Sequence, residues 1–329
     1  MVMAAPNTAG LIDTHDVVEH NEVDDLWDVI LRQMTPGPFH GRVEFVQIND
    51  LIFYREHWNQ RVLATGATPA GYFVFGGAVS SENSVDWCGS QVNPEKLAIG
   101  APCSEMEIIF PDESNHIALL VPHQLLQHYF GEELVTDTLP NRHHLACNPH
   151  YGCNLVPRLD RMITRYLANP ALLADARECK AAEMEIINDL AETFAEFDTK
   201  DHHKTPGQRR KKLQQAIAFS QSLQAPITVP EFANATNVNQ RTLEHAFRES
   251  LDITPRQYMH LHRMNNAHHQ LLKSEVGSTR ITDVAAHWGF SELGRFSVEY
   301  KCLFGESPSV TLNHSFTSPA KRLSDALIP

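Results

Sequence analysis

One short stretch of the chain is dense in side chains that bind metals. It contains, within eleven residues, His143, His144, Cys147, His150 and Cys153. Imidazole and thiolate groups are the usual protein ligands of zinc and of redox metals. Their spacing, however, matches no two-pair zinc signature. The pattern therefore favours a solvated loop over a metal site, and it predicts no cofactor.

A different chemistry, the reading of base edges in DNA, suits a second set of polar side chains. A helix predicted over residues 239–248 carries on its outward face Gln240, Arg241, Glu244 and His245. Arginine can donate two hydrogen bonds to guanine, and glutamate can accept one from the cytosine amino group. Contacts from Gln240 and Arg241 to phosphates alone are the alternative, because such positioning contacts are common.

A third set comprises two aromatic and two acidic residues of the N-terminal half, namely Phe75, Trp87, Glu105 and Glu107. Aromatic faces and a carboxylate could together hold a small cation. Aromatic side chains also fill protein cores, so ordinary packing is the alternative for Phe75 and Trp87.

The elements that must position the DNA-reading residues begin with residues 281–308, which have the pattern of a helix, a tight turn and a second helix. The apolar stripe of the first helix comprises Val284, Ala285 and Trp288. Gly289 can adopt the positive φ that the turn requires. The inward residues of the second helix recur every four positions, at Phe296, Tyr300 and Phe304. We expect Ser291 to cap this helix and Arg295 to be its one long outward donor.

The same pattern occurs about fifty residues upstream, which indicates an internal repeat. Asn239 corresponds to Ser291 as an N-cap, and residues 252–255 correspond to residues 305–308. Thr228 begins a capping box at the first unit. The helix that joins the units has an apolar face formed by Tyr258, Leu261, Met264, Ala267 and Leu271. The sequence therefore predicts two helix-turn-helix units on one continuous helix.

These residues resemble the DNA-binding region of the AraC/XylS family of bacterial transcription regulators, over about Gln208 to Leu312. The motifs that carry the resemblance are Val284-Ala285, Gly289-Phe290, Phe296, Tyr300-Lys301, Phe304-Gly305 and Pro308. The resemblance implies binding of double-stranded DNA, with bases reached by Arg241, Glu244 and His245. It also implies bacterial RNA polymerase as a partner. Leu293-Gly294 departs from the family pattern, which leaves Arg295 as the leading reader of the second unit and Ser291 on phosphate or in packing.

Length and charge support a division into two domains. The chain has 329 residues and a net charge of −13. Residues 1–204 carry 13 Lys and Arg against 30 Asp and Glu, whereas residues 205–329 carry 14 against 10. A basic second half is suited to a DNA partner. The six scattered cysteines and the lack of a signal or membrane-spanning run predict a cytoplasmic protein.

We expect an α+β fold: a small cupin-like β-barrel with helices, followed by the all-α domain of two helix-turn-helix units. The expected boundaries are a disordered leader over 1–22, a sensing and dimerisation domain over 23–198, a linker over 199–207, a DNA-binding domain over 208–314 and a flexible tail over 315–329. Within the sensing domain, we expect a helix over 23–33, the barrel over about 40–122 and helices over about 122–197. An apolar stripe on these helices includes Ile187, Leu190 and Phe194, and it packs either on the barrel or in a homodimer interface.

Within the family, the first half resembles the ethanolamine-operon regulator subgroup through Phe39-His40-Gly41, Phe73-x-Phe75-Gly76 and Gly89-Ser90. That resemblance implies a small-molecule effector, so we expect a ligand-responsive activator. One alternative is an N-terminal domain that binds a protein partner instead. A remote alternative is a metal-dependent cupin enzyme, but His57 and His116 are isolated from the His-x-His pattern such enzymes need. We therefore predict no enzymatic activity.

Overall fold

The computed structural model describes residues 7–141 except 81 and 83, then 144–146, 154–195, 208–313 except 224 and 276, and 322–327. The chain divides into two compact units. The first comprises residues 1–31, 40–203 and 319–329, and the second comprises residues 32–39 and 204–318. Each unit therefore includes a segment that is distant in sequence from most of that unit.

Two β-sheets form the described part of the first unit. Their strands are β1 (Thr8–Thr14), β2 (Asp28–Gln33), β3 (Gly41–Ile48), β4 (Leu51–Trp58), β5 (Val62–Ala67), β6 (Tyr72–Ala78), β7 (Val85–Trp87), β8 (Ser90–Val92), β9 (Lys96–Gly100), β10 (Glu105–Phe110), β11 (Ser114–Pro122) and β12 (His144–Ala146). The first sheet has the order β1-β3-β4-β11-β6-β9-β12, and the second has the order β2-β5-β10-β7-β8. Neither described sheet closes on itself, so the expected barrel is corrected to a pair of open sheets.

The central strands of the larger sheet are buried on both faces. Successive side chains of a strand point to opposite faces. On β4, Leu51 and Phe53 pack in one apolar cluster, whereas Ile52 and Tyr54 pack in another. This two-sided burial explains why Leu51–Tyr54 of β4 and Ile117–Val121 of β11 are continuous apolar runs without polar alternation.

Helices cover one face of this sheet. They are α2 (His123–Phe130), α3 (Leu155–Ala168) and α4 (Ala176–Ala195), with single turns at Leu134–Thr138, Leu139–Asn141 and Pro170–Ala174. A further helix, α1 (Val17–Val23), packs on the opposite face, where Val23 joins the cluster of Ile52 and Tyr54. Three α4 residues, Ile187, Leu190 and Phe194, are buried with the sheet residues of the same cluster. The ring centroids of Phe194 and Phe75 are 5.7 Å apart. The stripe therefore packs within its own unit, as the first of the two expected alternatives had it.

Residues 8–23 form a strand and a helix that the sequence did not indicate. Thr8–Thr14, expected in a disordered leader, pairs in antiparallel register with β3. Val17–Val23 then forms α1, whose N-cap Asp16 accepts a hydrogen bond from Val18 N at 2.7 Å. The pairing partner of β1 is distant in sequence, so local composition alone does not reveal this strand.

Residues 28–33, expected at the end of a helix, form β2 instead. The Asn21 side chain donates to Val29 O at 3.0 Å and accepts from Leu31 N at 2.6 Å. These bonds hold the backbone in an extended conformation. A side chain outside the segment thus overrides its local helical pattern.

The second unit contains α5 (Gln208–Gln221), α6 (Val229–Ala235), α7 (Gln240–Leu251), α8 (Pro255–Leu272), α9 (Ile281–His287), α10 (Leu293–Phe304) and α11 (Pro308–Asn313). The expected pair of helix-turn-helix units on one joining helix is therefore present, as α6–α7 and α9–α10 on α8. Asn237 and Gly289 have φ of 52° and 76° in the two turns. Thr228 and Thr254 form capping boxes at α6 and α8, which fix where these helices begin.

Residues 32–39 are part of the second unit. Gln33 N donates to Asn265 Oδ1 at 2.9 Å, and Asn265 Nδ2 donates to Gln33 O at 3.0 Å. The Gln33 side chain also donates to Leu303 O at 2.6 Å, and Gly37 N donates to that carbonyl at 3.0 Å. The segment is therefore tied to the middle of α8 and to the C-terminal end of α10.

The end of the chain is part of the first unit. A short helix, α12 (Leu323–Leu327), lies within the stretch expected to be a flexible tail. Leu323 and Leu327 are 0% and 1% exposed and join the apolar cluster of Ile52 and Tyr54. Ser324 N donates to Asp25 Oδ1 at 2.9 Å. Burial of the two leucines explains why these residues are ordered, which corrects the expectation for this part of the tail.

Replacing both Leu323 and Leu327 by alanine should lower the free energy of unfolding of the first unit by about 2–5 kcal/mol, because buried methyl groups are lost and cavities remain. Urea unfolding followed by tryptophan fluorescence measures the change. Asp325→Ala, on the exposed side of α12, is the matched control and should leave the midpoint unchanged. A double variant as stable as the wild type would contradict the packing of α12.

Candidate DNA interface and ligand cavity

The first candidate DNA-reading helix is α7. The Asn239 side chain caps it by accepting a hydrogen bond from Thr242 N at 2.8 Å. Its core face is buried, and its outer face carries Gln240, Arg241 and His245 exposed and Glu244 partly exposed. Arg248 Nε donates to Glu244 Oε1 at 3.0 Å, so this carboxylate already has a partner on its own helix. Within the described part of the chain, Arg241 has no acidic partner, and its guanidinium group is therefore available to DNA.

The corresponding helix of the second unit, α10, has a different outer face. It begins at Leu293, and Ser291 does not cap it: Glu292 occupies the N-cap position without a side-chain cap bond. Ser291 and Arg295 are exposed, and Arg295 Nε donates to Glu299 Oε1 at 2.7 Å. Apolar side chains are exposed beside them, with Leu293 at 41% and Val298 at 70%. Such side chains can contact the methyl group of thymine in the major groove.

The first unit contains a cavity between its two sheets, and side chains of both sheets line it. The aromatic side chains of its lining are Trp27, Tyr54, Trp58, Trp87 and Phe110. Its acidic, amide and imidazole side chains are Asn21, Asp24, Glu56 and His116.

A buried carboxylate lies between two imidazole rings at the wall of this cavity. His20 Nε2 lies 3.1 Å from Glu56 Oε1, and His116 Nε2 lies 3.0 Å from Glu56 Oε2. Burial alone would raise the pKa of Glu56, but the hydrogen bonds from His116 and His20 lower it to about 2. Glu56 is therefore ionised at neutral pH, with both oxygens already occupied.

A second carboxylate, that of Asp24, lines the same cavity and is 7% exposed. The Tyr54 hydroxyl donates to Asp24 Oδ2 at 3.4 Å, and the indole N–H of Trp27 donates to the Tyr54 oxygen. Burial raises the pKa of Asp24 well above its usual range, and the charges of Glu56 and Asp25 raise it further. The loop that follows α1 thus brings the Asp24 carboxyl group and Trp27 to the cavity, where Tyr54 of β4 joins them.

Of the four ligand-binding residues predicted from the sequence, the cavity lining includes Trp87. Phe75 lies in the apolar cluster against α4, so packing accounts for it. Glu105 is exposed and Glu107 is buried, and neither belongs to the lining. The carboxylates that do line the cavity, Asp24 and Glu56, were not among the predicted residues.

Most of the candidate metal-binding stretch lies outside the described residues. Of His143, His144, Cys147, His150 and Cys153, the structure describes the backbone of His144 alone, in β12. Among the residues that are described, no group of three His, Cys, Asp or Glu side chains could hold a metal ion. The described helices also include none that is long and apolar enough to span a membrane.

Comparison with known families supports the interpretation of the second unit. Residues 232–314 match the family model described as a helix-turn-helix domain. This region contains both helix-turn-helix units and α8, and it extends from within α6 to the end of α11. The described helices and the family match together define this region as a helix-turn-helix domain.

Two curated relatives illustrate the match. The chain is 40% identical over 89 residues to the "Probable thc operon regulatory protein" of Rhodococcus erythropolis, which is 27% of each protein. It is 32% identical over 103 residues to the "HTH-type transcriptional regulator ArgR" of Pseudomonas aeruginosa, or 31% of this chain and 30% of that protein. The matches therefore span less than a third of these relatives. The resemblance to the ethanolamine-operon subgroup stays a prediction.

Among solved structures, the AraC-like transcriptional activator CuxR aligns with 78% of this chain and 95% of its own, with 12% identity and a TM-score of 0.43. A transcriptional regulator of Chromobacterium violaceum with an AraC-type DNA-binding domain aligns with 33% of this chain and 95% of its own. Its identity is 25% and its TM-score is 0.30.

Arg241→Ala should weaken binding to the preferred DNA site by about 1–3 kcal/mol and relax the preference at one base position. The matched variant Arg241→Lys keeps the charge but loses the bidentate fork, so it should relax the preference while keeping the salt dependence of binding. Binding to randomised DNA at several salt concentrations measures both effects. Equal weakening on every sequence would instead identify Arg241 as a phosphate contact.

Proposed function

We propose that this chain is a sequence-specific transcription regulator that binds double-stranded DNA through both helix-turn-helix units. The observation that carries the proposal is the duplicated unit on a single helix. α8 has 18 residues, which corresponds to about 27 Å at 1.5 Å per residue. Successive major-groove segments on one side of DNA are about 34 Å apart. Two units held at the ends of such a helix are therefore suited to neighbouring major grooves.

The charge distribution supports a DNA partner for the second unit, since residues 205–329 have more basic than acidic side chains. In this proposal the protein acts in the cytoplasm as an activator and contacts bacterial RNA polymerase, as its resemblance to the AraC/XylS family implies. A homodimer would use a surface other than the buried α4 stripe.

The first unit is proposed to sense a small molecule in the cavity between its sheets. The cavity has a mostly aromatic and aliphatic lining with few polar groups, which is the usual composition of ligand sites. Trp87 keeps the role that its residue type predicted, and Asp24 joins it.

Strand β2 is the proposed route from this cavity to the DNA-binding unit. Val29 and Leu31 line the cavity, and Gln33, two residues further, is bound to Asn265 and Leu303. A ligand that favours one position of β2 would thereby favour one state of the second unit. The ligand can change the free-energy difference between the two states by at most the difference between its binding free energies to them.

The test of the proposed function is capture of genomic DNA fragments by the purified full-length chain, followed by sequencing of the retained DNA. We expect a shared motif with two short conserved blocks about one helical turn apart. Arg241→Ala should reduce the enrichment of that motif. Retention of fragments that share no motif would contradict sequence-specific regulation.

Gln33→Ala should weaken binding of the full-length protein to the captured motif by about tenfold, because the side-chain hydrogen bonds from Gln33 to Leu303 O of α10 and to Thr35 O and Gly37 O within the segment are lost. Hydrogen–deuterium exchange should show faster exchange in residues 32–39 and at the C-terminal end of α10. Gln215→Ala, on the exposed side of α5, is the matched control. Unchanged affinity despite faster exchange in the segment would contradict the proposed route through β2.

A further inference from the structure

The cavity of the first unit contains polar groups that the protein itself satisfies. The amide of Asn21 is bonded to the β2 backbone at both ends, and the carboxylate of Glu56 is bonded to two histidines. His116 also bonds through Nδ1 to Ser114 Oγ at 3.2 Å. The Tyr54 hydroxyl accepts from Trp27 and donates to Asp24. A ligand gains little from these groups because their hydrogen bonds are already made.

Two lining groups differ from the others. Asp24 Oδ1 and Trp87 Nε1 are buried, and neither has a hydrogen-bond partner among the described residues. Leaving a buried polar atom without a partner costs about 1–3 kcal/mol and more for a charged group. The lining therefore includes a hydrogen-bond acceptor and a hydrogen-bond donor that a ligand can satisfy.

An anionic ligand group beside Asp24 is disfavoured, because the Glu56 carboxylate lies close to it. Glu56 is ionised, and an ionised Asp24 would add a second negative charge close to it. The lining of the described cavity includes two acidic side chains, those of Asp24 and Glu56, and no Lys or Arg. A positively charged group beside Asp24 would offset this repulsion and would supply the missing donor.

Two aromatic residues are neighbours of the Asp24 carboxyl group. The indole N–H of Trp27 donates to the Tyr54 hydroxyl, which donates to Asp24 Oδ2. Aromatic faces attract organic cations, most strongly where water is excluded. The remaining lining is mostly aliphatic, which favours a ligand with an apolar body and disfavours a polyol that would need many polar partners.

We propose that the cavity binds a small organic amine in its protonated form. The ammonium group donates to Asp24 Oδ1, an apolar body fills the space between the sheets, and an oxygen acceptor on that body receives the indole N–H of Trp87. This inference rests on the proposed sensing role of the first unit and adds the chemical class of its effector.

Three matched probes test the class on the full-length protein: para-methoxybenzylamine, para-methoxybenzyl alcohol and para-methoxybenzoate. They share one skeleton and differ in charge. Thermal unfolding at increasing probe concentration reports binding, since a ligand of the native state raises the apparent melting temperature. We expect the amine to bind at least about tenfold more tightly than the alcohol, because a hydrogen bond to a charged partner is stronger. The benzoate should not bind.

Two variants assign the contacts. Asp24→Asn should weaken the amine by about tenfold or more and leave the alcohol unchanged, while the ligand-free variant should melt at a higher temperature because a buried carboxyl group is removed. Trp87→Phe keeps an aromatic ring but loses the indole N–H donor. It should therefore reduce the affinity for para-methoxybenzylamine to that for benzylamine. Glu95→Gln, which removes an exposed carboxylate, is the control and should bind every probe like the wild type.

The inference is overturned if none of the three probes stabilises the wild type at millimolar concentration, if the benzoate binds as tightly as the amine, or if Asp24→Asn retains full amine affinity. The DNA-capture experiment is read separately. A protein that enriches a motif but binds no amine refutes the ligand class and leaves the regulator intact. A protein that binds the amine but enriches no motif refutes the proposed function and leaves the ligand class intact.

Discussion

Burial of a carboxylate between two imidazoles is the constraint on which the first unit depends. An isolated ionised carboxylate in a protein interior is very costly, and it persists where hydrogen bonds occupy its oxygens. Glu56 on β4 meets this condition through His20 on α1 and His116 on β11. Three elements that are distant in sequence must therefore meet at one point before the charge is tolerable. The same arrangement places α1, and the Asp24 loop that follows it, at the wall of the cavity.

The second unit is organised around α8 in a comparable way. Capping boxes determine where α6 and α8 begin, and residues of α8 supply one side of the core in each helix-turn-helix unit. The two recognition helices then differ in what they present: a guanidinium group on α7, and exposed leucine and valine on α10 beside an arginine already paired with Glu299. The two copies of one sequence pattern thus have the same helical arrangement and different outer surfaces. This difference suits the two-part DNA site that we propose.

The extent to which the sequence predicted the structure follows the range of the interactions involved. Capping boxes, left-handed turn residues and four-residue apolar spacing are local, so the helix-turn-helix units and the strands from β3 to β11 that are rich in apolar residues were largely recognisable. β1, β2 and α12 depend on partners far along the chain, and no local pattern marks them. The same reason applies to the cavity. Trp87 was a candidate from its residue type, whereas Asp24 became one only when folding brought it beside Tyr54.

The placement of α12 has a consequence for how the protein is made. Leu323 and Leu327 complete an apolar cluster whose other members, such as Ile52 and Tyr54, leave the ribosome about 270 residues earlier. During synthesis the nascent first unit must therefore wait, with part of its core uncovered, until the whole DNA-binding unit has emerged. Domains usually fold in order as they are translated. Here the first unit begins to fold before the second and is completed after it. A chain released before Leu323 would therefore lack part of the core of the first unit.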